Sequence, residues 1–314
     1  MSAKSVEQKP SETAVMAALH RAIANKEFGG RLGPDYLAEY FLPAHFRFFI
    51  KFKKVRANVK NKLGTFLPGL HEYMVARTSH FDAAFIDALT NQVPQIVLLG
   101  AGYDSRAYRF DRLNTATKIF ELDISPTQDR KKKCLKKASI SIPQQTTQVP
   151  INFNEETLES VLEKAGYDNN QPTLFLWEGV SYYLEPESVA TTLEFVAHTL
   201  HPESVIAFDY VVSVTDENRD LFGASKFLQT MKEEHGSEAL MFAIDEDETT
   251  SYLERQGLKM IAHLDNEEIE RAYLVNENGT LLGHMTGLFC FVSASPNTET
   301  ETGRLPRKAP SQSG

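Results

Sequence analysis

The chain has 314 residues, of which 42% are hydrophobic, and a formal net charge of −9 at neutral pH. This composition allows one large α/β domain or two smaller ones, and the acidic balance disfavours a general nucleic-acid-binding function. The two cysteines, Cys134 and Cys290, lie far apart, no apolar run approaches the roughly 18 residues of a membrane helix, and no secretory leader is evident, so we expect a cytoplasmic protein without disulfides or metal.

The first ninety residues predict a helical cap or lid. Residues 1–10 are polar and are expected to be disordered, whereas residues 11–90 contain apolar residues at helical spacing. Thr13–Ala24 and Gly69–Leu89 are the clearest of the predicted helices. Arg77 lies in the second of these, where it could clamp a carboxylate with two hydrogen bonds or form a surface or interdomain ion pair.

A stretch at residues 46–56 alternates phenylalanines with basic residues. The phenylalanines are Phe46, Phe48, Phe49 and Phe52, and the basic residues are Arg47, Lys51, Lys53, Lys54 and Arg56. We expect a helix that packs its phenylalanines inward while the basic side chains stay solvated. The alternatives are a surface for an anionic partner, an RNA or a membrane, or part of a lid over an anionic substrate.

A glycine turn between two predicted strands indicates a nucleoside-cofactor site. Ile96–Leu99 is a short, branched apolar run, which is typical of a buried strand in a parallel sheet. Gly100-Ala101-Gly102 follows, and its two glycines allow the backbone to approach a ligand closely. Lys118–Asp123 predicts the next strand and places a carboxylate at its end, where ribose hydroxyls are held in such folds.

Helices and strands alternate through the rest of the chain. The further predicted strands are residues 149–153, 173–177, 205–210, 258–264 and 287–294. The predicted helix Ser125–Lys137 carries a basic run that we expect to be a solvated face, and Asn154 is expected to cap the helix after the third strand. Residues 217–256 are polar and mostly helical by pattern, and residues 295–314 are expected to be a disordered tail.

Two cofactor classes fit five strands with crossover helices. A dinucleotide-binding turn prefers a third glycine or an alanine at the sixth position of G-x-G-x-x-G, and this chain has Ser105 there. Two late strands after the fifth are what an S-adenosylmethionine-binding sheet usually adds. A lone G-x-G is weak evidence, so these patterns favour a methyltransferase over a nicotinamide-dependent oxidoreductase only modestly.

Four segments in a fixed order resemble the leucine carboxyl methyltransferase family. They read VARTSHFD, VLLGAGYDSRAYRF, FELDISPTQDRKK and LFLWEGVSYYLEPESV. The family includes polyketide O-methyltransferase-like and uncharacterised bacterial members, and the likeness runs from about Thr13 to about Ser293. It implies a single class I, Rossmann-like α/β domain at 11–294, in which a seven-stranded, mostly parallel sheet at 91–294 has helices on both faces.

The resemblance also implies S-adenosylmethionine as the cofactor and assigns eight residues to it. They are Arg77, Gly100, Ala101, Gly102, Asp123, Asn152, Phe153 and Glu178. Arg77 would pair with the methionine carboxylate, Asp123 would hold the ribose hydroxyls, and Glu178 would lie at the amino-acid end of the cofactor. Relatives usually carry Asp-Leu where this chain has Asn152-Phe153, but an asparagine carbonyl can still accept a hydrogen bond from the adenine amino group.

We expect the acceptor to be a small-molecule or peptide carboxylate, or an acidic hydroxyl, because methyl transfer from a sulfonium needs mainly an aligned oxygen nucleophile. A carboxylate is ionised at neutral pH and needs no general base, and no histidine stands in an obvious motif to supply one. Glu178, Tyr182 and Tyr183 are candidates for the acceptor pocket, although both tyrosines could belong to the core. No motif assigns the chain to the branch that methylates a phosphatase C terminus, and a monomer is expected. The alternative is a cofactor-binding protein that has lost turnover and serves as an interaction module, which Asn152 and the basic stretch at residues 46–56 would explain.

Overall fold

A computed structural model of the chain describes residues 11–29, 35–153, 155–199, 201–215, 227, 229 and 240–298. The predicted disordered segment 1–10, most of the predicted tail, much of the polar segment 217–256 and the predicted cap Asn154 lie outside the described residues. Among the helices of the described part, none combines the length and the apolar character that crossing a membrane requires.

In the described part of the chain, four α-helices precede the sheet. The first begins after Ser11, whose hydroxyl accepts a hydrogen bond from the Ala14 backbone N–H at 3.0 Å, and ends at Gly29 with a left-handed φ of 60°. The predicted helices at Thr13–Ala24 and Gly69–Leu89 are confirmed as α1 and α4. The bounds are α1 Glu12–Phe28, α2 Ala44–Phe49, α3 Lys53–Phe66 and α4 Leu70–Thr90.

The remaining elements form the predicted seven-stranded sheet with its flanking helices. The strands are β1 Gln95–Leu99, β2 Lys118–Asp123, β3 Thr146–Pro150, β4 Thr173–Trp177, β5 Val205–Val211, β6 Leu258–Leu264 and β7 Phe289–Pro296. The helices are α5 Arg106–Arg109, α6 Ser125–Lys137, α7 Leu158–Lys164, α8 Pro186–Ala197, α9 Thr249–Arg255 and α10 Asn266–Tyr273. The sheet order is β3-β2-β1-β4-β5-β7-β6, and β7 runs antiparallel to both of its neighbours.

The central strand divides the interior into two cores. Ile96 and Leu98 face a core that includes Phe85 of α4, whereas Val97 and Leu99 face a core built with α7 and α8. This alternation follows from the period of two in a strand. The N-terminal helices therefore share one core with the sheet, and the carboxyl ends of β1 to β5 meet at one edge.

The phenylalanines of the basic stretch do not pack inward, so that prediction is wrong. Their exposed fractions are 36% for Phe46, 54% for Phe48, 50% for Phe49 and 51% for Phe52. The helix α2 is only six residues long and has no buried residue. Ile50, immediately after it, is 1% exposed and is the apolar residue of this stretch that enters the core.

The lysines of the basic run of α6 are exposed except at Lys131, where the prediction is wrong, and Arg130 is half-buried over the Tyr103 ring. Lys131 is 1% exposed, and its Nζ lies 2.9 Å from Glu121 Oε1 on β2. Gln128 and Leu135 are buried on the same face, which shows that positions 128, 131 and 135 face the sheet. The Glu121 carboxylate also accepts a hydrogen bond from the Tyr108 hydroxyl at 2.8 Å.

Three predicted boundaries also need correction. The third strand spans Thr146–Pro150 rather than 149–153, because it is an edge strand that pairs with β2 in that register and tolerates polar residues. The helix α7 begins at Leu158, and its N-cap is Thr157, three residues beyond the predicted cap position. The last strand continues to Pro296, which pairs with Leu258, two residues into the segment predicted to be a disordered tail.

Candidate cofactor and acceptor site

A cavity of about 1210 Å³ lies at the carboxyl edge of the sheet. Its wall includes a residue at or just beyond the end of each of four parallel strands, namely Gly100, Asp123, Asn152 and Glu178. This edge is where open α/β sheets bind ligands. The volume exceeds the roughly 300–1000 Å³ of a typical small-molecule pocket, which leaves space for a cofactor and an acceptor together.

The turn after β1 brings bare backbone to the cavity. Gly100 and Gly102 have positive φ angles of 66° and 43°, which glycine adopts without steric cost. A Cβ on Gly100 would lie only 2.5 Å from Val180 Cγ2, so no other residue fits this position without displacing Val180. The Ala101 N–H donates to the Leu122 carbonyl at 2.7 Å, which ties the turn to the end of β2.

The carboxylate of Asp123 is held by two backbone N–H groups. Gly102 N donates to Oδ2 at 2.5 Å, and Ile124 N donates to Oδ1 at 2.7 Å. Burial nevertheless raises the Asp123 pKa from 3.8 to about 6, because the two donors compensate only part of the lost hydration. Each carboxylate oxygen retains a lone pair, so a diol that donates hydrogen bonds to this group would favour its ionised form.

Arg77 and Glu178 form a buried ion pair at the wall of the same cavity. Arg77 Nε lies 3.0 Å from Glu178 Oε1, and Arg106 Nη1 lies 2.6 Å from Glu178 Oε2. Burial opposes ionisation of Glu178, but the Arg106 and Arg77 guanidinium groups outweigh it and lower the carboxyl pKa. Glu178 is therefore an anion that can accept a hydrogen bond from a ligand ammonium group.

The other side of the Arg77 guanidinium contacts a buried tyrosine–aspartate cluster. Nη1 lies 3.3 Å from the Tyr73 hydroxyl, 3.2 Å from the Tyr182 hydroxyl and 3.4 Å from Asp209 Oδ2. The Tyr73 hydroxyl donates to Asp209, and burial raises the pKa values of both groups. Gly179 N donates to Asp209 Oδ1 at 2.6 Å. These contacts fix the orientation of the guanidinium.

Sequence reasoning missed the ion pairs that support this wall from behind. Arg106 Nε lies 2.7 Å from Asp82 Oδ1, and Arg109 binds both Asp82 oxygens at 2.7 Å. Arg21 Nε reaches Asp35 at 2.9 Å and its Nη2 donates to the Tyr103 carbonyl. Two of the four segments that resemble the family contain charged residues of these pairs, namely Asp82, Arg106 and Arg109. Charged residues in otherwise apolar segments were the sequence signal that could have predicted the ion pairs.

Beyond the ion pairs the cavity becomes apolar and aromatic. Its apolar lining residues there are Phe66, Phe227, Leu240, Met241 and Phe289. Tyr182 is buried and Tyr183 half-buried, and both line the cavity from a short 3₁₀ turn at Ser181–Tyr183. Burial raises the Tyr182 pKa well above its ordinary value, so this phenol stays protonated.

Among the described lining residues, the single histidine is His20. Its Nδ1 lies 3.1 Å from His71 Nδ1, and the two rings stack with centroids 5.4 Å apart. Burial, together with the nearby His71, Arg77 and Arg21, lowers the His20 pKa well below 6.5, so its ring is neutral at physiological pH.

The cavity brings together all ten residues that the sequence singled out. They are Arg77, Gly100, Ala101, Gly102, Asp123, Asn152, Phe153, Glu178, Tyr182 and Tyr183. Asn152 and Phe153 lie on the loop beyond β3 rather than within it. Their common location agrees with one site, while the role of each residue toward cofactor or acceptor stays a prediction.

The fold and this cavity define a class of protein. An all-parallel dinucleotide-binding sheet has no antiparallel strand inserted beside its fifth strand, whereas here β7 lies antiparallel between β5 and β6. With the glycine turn and the acid at the end of β2, this is a class I, Rossmann-like methyltransferase fold. The sequence model of the leucine carboxyl methyltransferase family matches residues 14–197, and the chain belongs to that family.

Individual relatives agree with this assignment. A candidate S-adenosyl-L-methionine-dependent methyltransferase of Mycobacterium avium (strain 104) is 26% identical over 278 residues, which cover 85% of this chain and 86% of the relative. A Bacillus subtilis (strain 168) protein of the same description is 28% identical over 207 residues, which cover 66% and 67% of the two chains. The protein is accordingly an S-adenosylmethionine-dependent methyltransferase.

Solved structures support the fold. A candidate methyltransferase from Thermobifida fusca YX covers 92% of this chain and 96% of its own, with a TM-score of 0.58 and 15% sequence identity. A DUF574 family protein from Streptomyces avermitilis MA-4680 covers 88% of this chain and 96% of its own, with a TM-score of 0.57 and 12% identity. At these identities the likeness concerns the fold alone.

Proposed function

We propose that the protein is an O-methyltransferase that methylates a carboxylate, or an acidic hydroxyl, of a small-molecule or peptide acceptor. The observation that carries this proposal is the composition of the cavity beyond Arg77 and Glu178. That part is apolar and aromatic, and burial raises the pKa of its phenol Tyr182, which stays protonated and cannot serve as a general base. Such a chamber suits an acceptor that arrives already ionised on an apolar body.

The reaction makes few demands on acid–base groups. Bound S-adenosylmethionine supplies an electrophilic methyl group on a sulfonium sulfur. The protein then has to align an oxygen nucleophile and exclude water. A carboxylate is ionised at neutral pH, whereas an alcohol must lose a proton to a base. His20 is the one described lining histidine, and its Nδ1 is turned toward His71, which argues against a base-assisted reaction.

The cofactor-binding role of the site rests on complementary charge. We assign Glu178 to the cofactor ammonium, Arg77 to its carboxylate and Asp123 to its ribose hydroxyls. The bare turn at Gly100–Gly102 would pass beneath the methionine and ribose portions, and Asn152 would lie beside the adenine. Each group fits its assignment, because Glu178 is ionised, Arg77 is held in place and Asp123 has lone pairs for hydroxyl donors.

The acceptor chamber has a rigid aromatic wall. Tyr73 and Phe289 stack with ring centroids 4.0 Å apart, and Tyr182 meets Phe289 edge-on at 5.4 Å. Rings held in this way offer apolar surface with little loss of side-chain entropy on binding. We therefore expect acceptors that carry the carboxylate on an aliphatic or aromatic body.

The test is a methyl-transfer assay with matched acceptor pairs. Carboxylic acids and the alcohols of the same carbon skeleton are incubated with methyl-labelled S-adenosylmethionine, and the products are treated with mild alkali. Methyl esters release labelled methanol under this treatment, whereas methyl ethers do not. We expect the acids to be methylated and the alcohols to be left unchanged, at a rate that is flat with pH above the pKa of the acid.

Two outcomes would contradict the proposal. Alkali-stable products formed only from alcohols, at a rate that rises with pH, would instead indicate a base-assisted hydroxyl methyltransferase. Binding of S-adenosylmethionine without product from any acid or alcohol would favour a cofactor-binding protein without turnover.

A further inference from the structure

The stretch at residues 46–56, which we call the basic aromatic patch, exposes an unusual amount of aromatic surface. Phe48, Phe49 and Phe52 are each at least half exposed. The ring of Phe48 contacts those of Phe49 and Phe52 at centroid distances of 5.6 Å, so the three rings form one exposed aromatic cluster, here called the knob. Contiguous exposed apolar surface on a folded protein marks an interaction site more often than isolated residues do.

The surroundings of the knob are strongly positive. Between Ala44 and Phe66 the chain has seven Lys and Arg residues and no Asp or Glu, although the net charge of the protein is −9. Lys60 and Arg56 pair with Glu27 of α1, whereas Lys51, Lys53 and Lys54 are exposed beside the knob. The patch therefore combines an apolar surface with local positive charge.

The patch is held in a defined conformation. Ile50 is buried in the core at 1% exposure, at the junction between α2 and α3. Arg56 Nη1 donates to the carbonyls of Ile50 and Lys51 at 2.9 and 3.0 Å, which fixes the turn between the two helices. The phenylalanines are therefore presented by an ordered corner, and little conformational entropy is lost when a partner covers them.

We propose that the basic aromatic patch docks the protein on an anionic lipid surface. Phenylalanines enter the interface between head groups and acyl chains, while flanking lysines contact the lipid phosphates. The charge complementarity selects this partner over a second copy of the chain, because a symmetric dimer would bring two basic patches together. An RNA fits less well, because rings that meet at 74° and 70° do not present parallel open faces for successive bases.

Docking through this patch would also orient the cavity. The helix α3 begins at Lys53 in the patch, and its far end contributes Leu63 and Phe66 to the cavity wall. Pro43, just before α2, lines the same cavity. The wall formed by these helices would then lie about 20 Å or less from the lipid surface, given the rise of an α-helix. The inference does not rest on the identity of the methyl acceptor.

The test is co-sedimentation of the full-length protein with lipid vesicles. We expect binding to phosphatidylcholine–phosphatidylserine vesicles that weakens as salt is added, and little binding to phosphatidylcholine alone. The triple variant K51A/K53A/K54A should lower the partition constant on the order of a hundredfold, since each lysine near an anionic surface contributes about fivefold. The variant F48S/F49S/F52S should lower it on both vesicle types.

Matched controls separate this patch from general surface effects. K132A/K133A/K137A removes the same charge from exposed positions on α6, and I142S/I261S removes exposed apolar side chains elsewhere. Both should sediment with vesicles like the wild-type protein. All substituted residues are exposed, and an unchanged thermal unfolding midpoint shows that the variants are folded.

Four results would overturn the proposal. The first is wild-type protein that fails to sediment with phosphatidylserine vesicles. The second is a loss of binding that is as large in the control variants as in the patch variants. The third is a patch variant that loses binding to single-stranded RNA but keeps vesicle binding. The fourth is a patch variant that turns a dimer into a monomer in sedimentation velocity while vesicle binding stays intact.

Discussion

Arg77 and Glu178 are 101 positions apart in the sequence, and their side chains lie 3.0 Å apart, from Arg77 Nε to Glu178 Oε1. Arg77 comes from the middle of α4 and Glu178 from the residue just beyond β4. The pair places a cation and an anion side by side at the wall of the cavity, which is what the amino-acid end of a zwitterionic cofactor requires.

Replacing Arg77 with lysine should weaken cofactor binding on the order of 10- to 100-fold. Lysine keeps the charge but cannot contact Glu178 and the Tyr73–Asp209 side at the same time, so a charge-assisted contact to the ligand carboxylate is lost. The measurement is calorimetric titration with S-adenosylmethionine and S-adenosylhomocysteine. Arg109→Lys is the control, because Arg109 binds Asp82 behind the wall. If Arg77→Lys and Arg109→Lys raise the dissociation constant for S-adenosylmethionine by the same factor, Arg77 has no specific role in binding.

Gly179→Ala should disturb Arg77 directly. A Cβ at this position would lie 2.7 Å from Arg77 Nη1, and the φ of 72° is itself unfavourable for alanine. The matched control is Gly166→Ala, where φ is 84° but no atom lies within 4 Å of the added Cβ. Both should lose about 1 kcal/mol of unfolding free energy through backbone strain. We expect only Gly179→Ala to lose further unfolding free energy, which denaturant titration measures. We also expect only this variant to bind the cofactor more weakly, which calorimetry measures.

The raised pKa of Asp123 predicts a pH dependence of stability. Its folded-state value of about 6 exceeds the ordinary 3.8, so its contribution is fully present below about pH 4 and is lost as the pH rises through about 6. Hydroxyl donors from a bound cofactor would favour the ionised form and reduce this loss. The measurement compares thermal unfolding midpoints of wild-type protein and Asp123→Asn between pH 4 and 7, with and without S-adenosylhomocysteine. If the difference in unfolding midpoint between wild-type protein and Asp123→Asn does not change with pH, the prediction is wrong.

Lys131→Met should cost about 3–5 kcal/mol of unfolding free energy, because it leaves the Glu121 carboxylate buried without its cation. Both side chains of the pair are 1% exposed. Lys132→Met is the control. Lys132 is the exposed neighbour of Lys131, so its replacement should change the free energy of unfolding by less than about 0.5 kcal/mol. Urea unfolding of the two variants checks the prediction, and a similar stability of both would show that the pair contributes little.

Local patterns were sufficient for the central strands and the glycine turn. The apolar run Ile96–Leu99 lies between Pro94 and Gly100, and the observed strand Gln95–Leu99 differs by one residue. The strands at Lys118–Asp123 and Thr173–Trp177 have the predicted bounds. A strand buried on both faces must be apolar along its whole length, so its ends are visible where that composition stops. The edge strand β3 lacks this constraint, and its prediction was displaced by three residues.

The sequence by itself determined the class of fold and the cofactor family, because these depend on motifs that are contiguous along the chain. It also singled out the ten residues that the structure places around one cavity. Only the tertiary structure decided that Lys131 is buried, that Phe48, Phe49 and Phe52 face solvent, and that Asp82 binds Arg106 and Arg109. Each of these depends on which side of a helix meets a distant element. A basic side chain in a helix looks the same in sequence whether it faces water or a carboxylate from another strand.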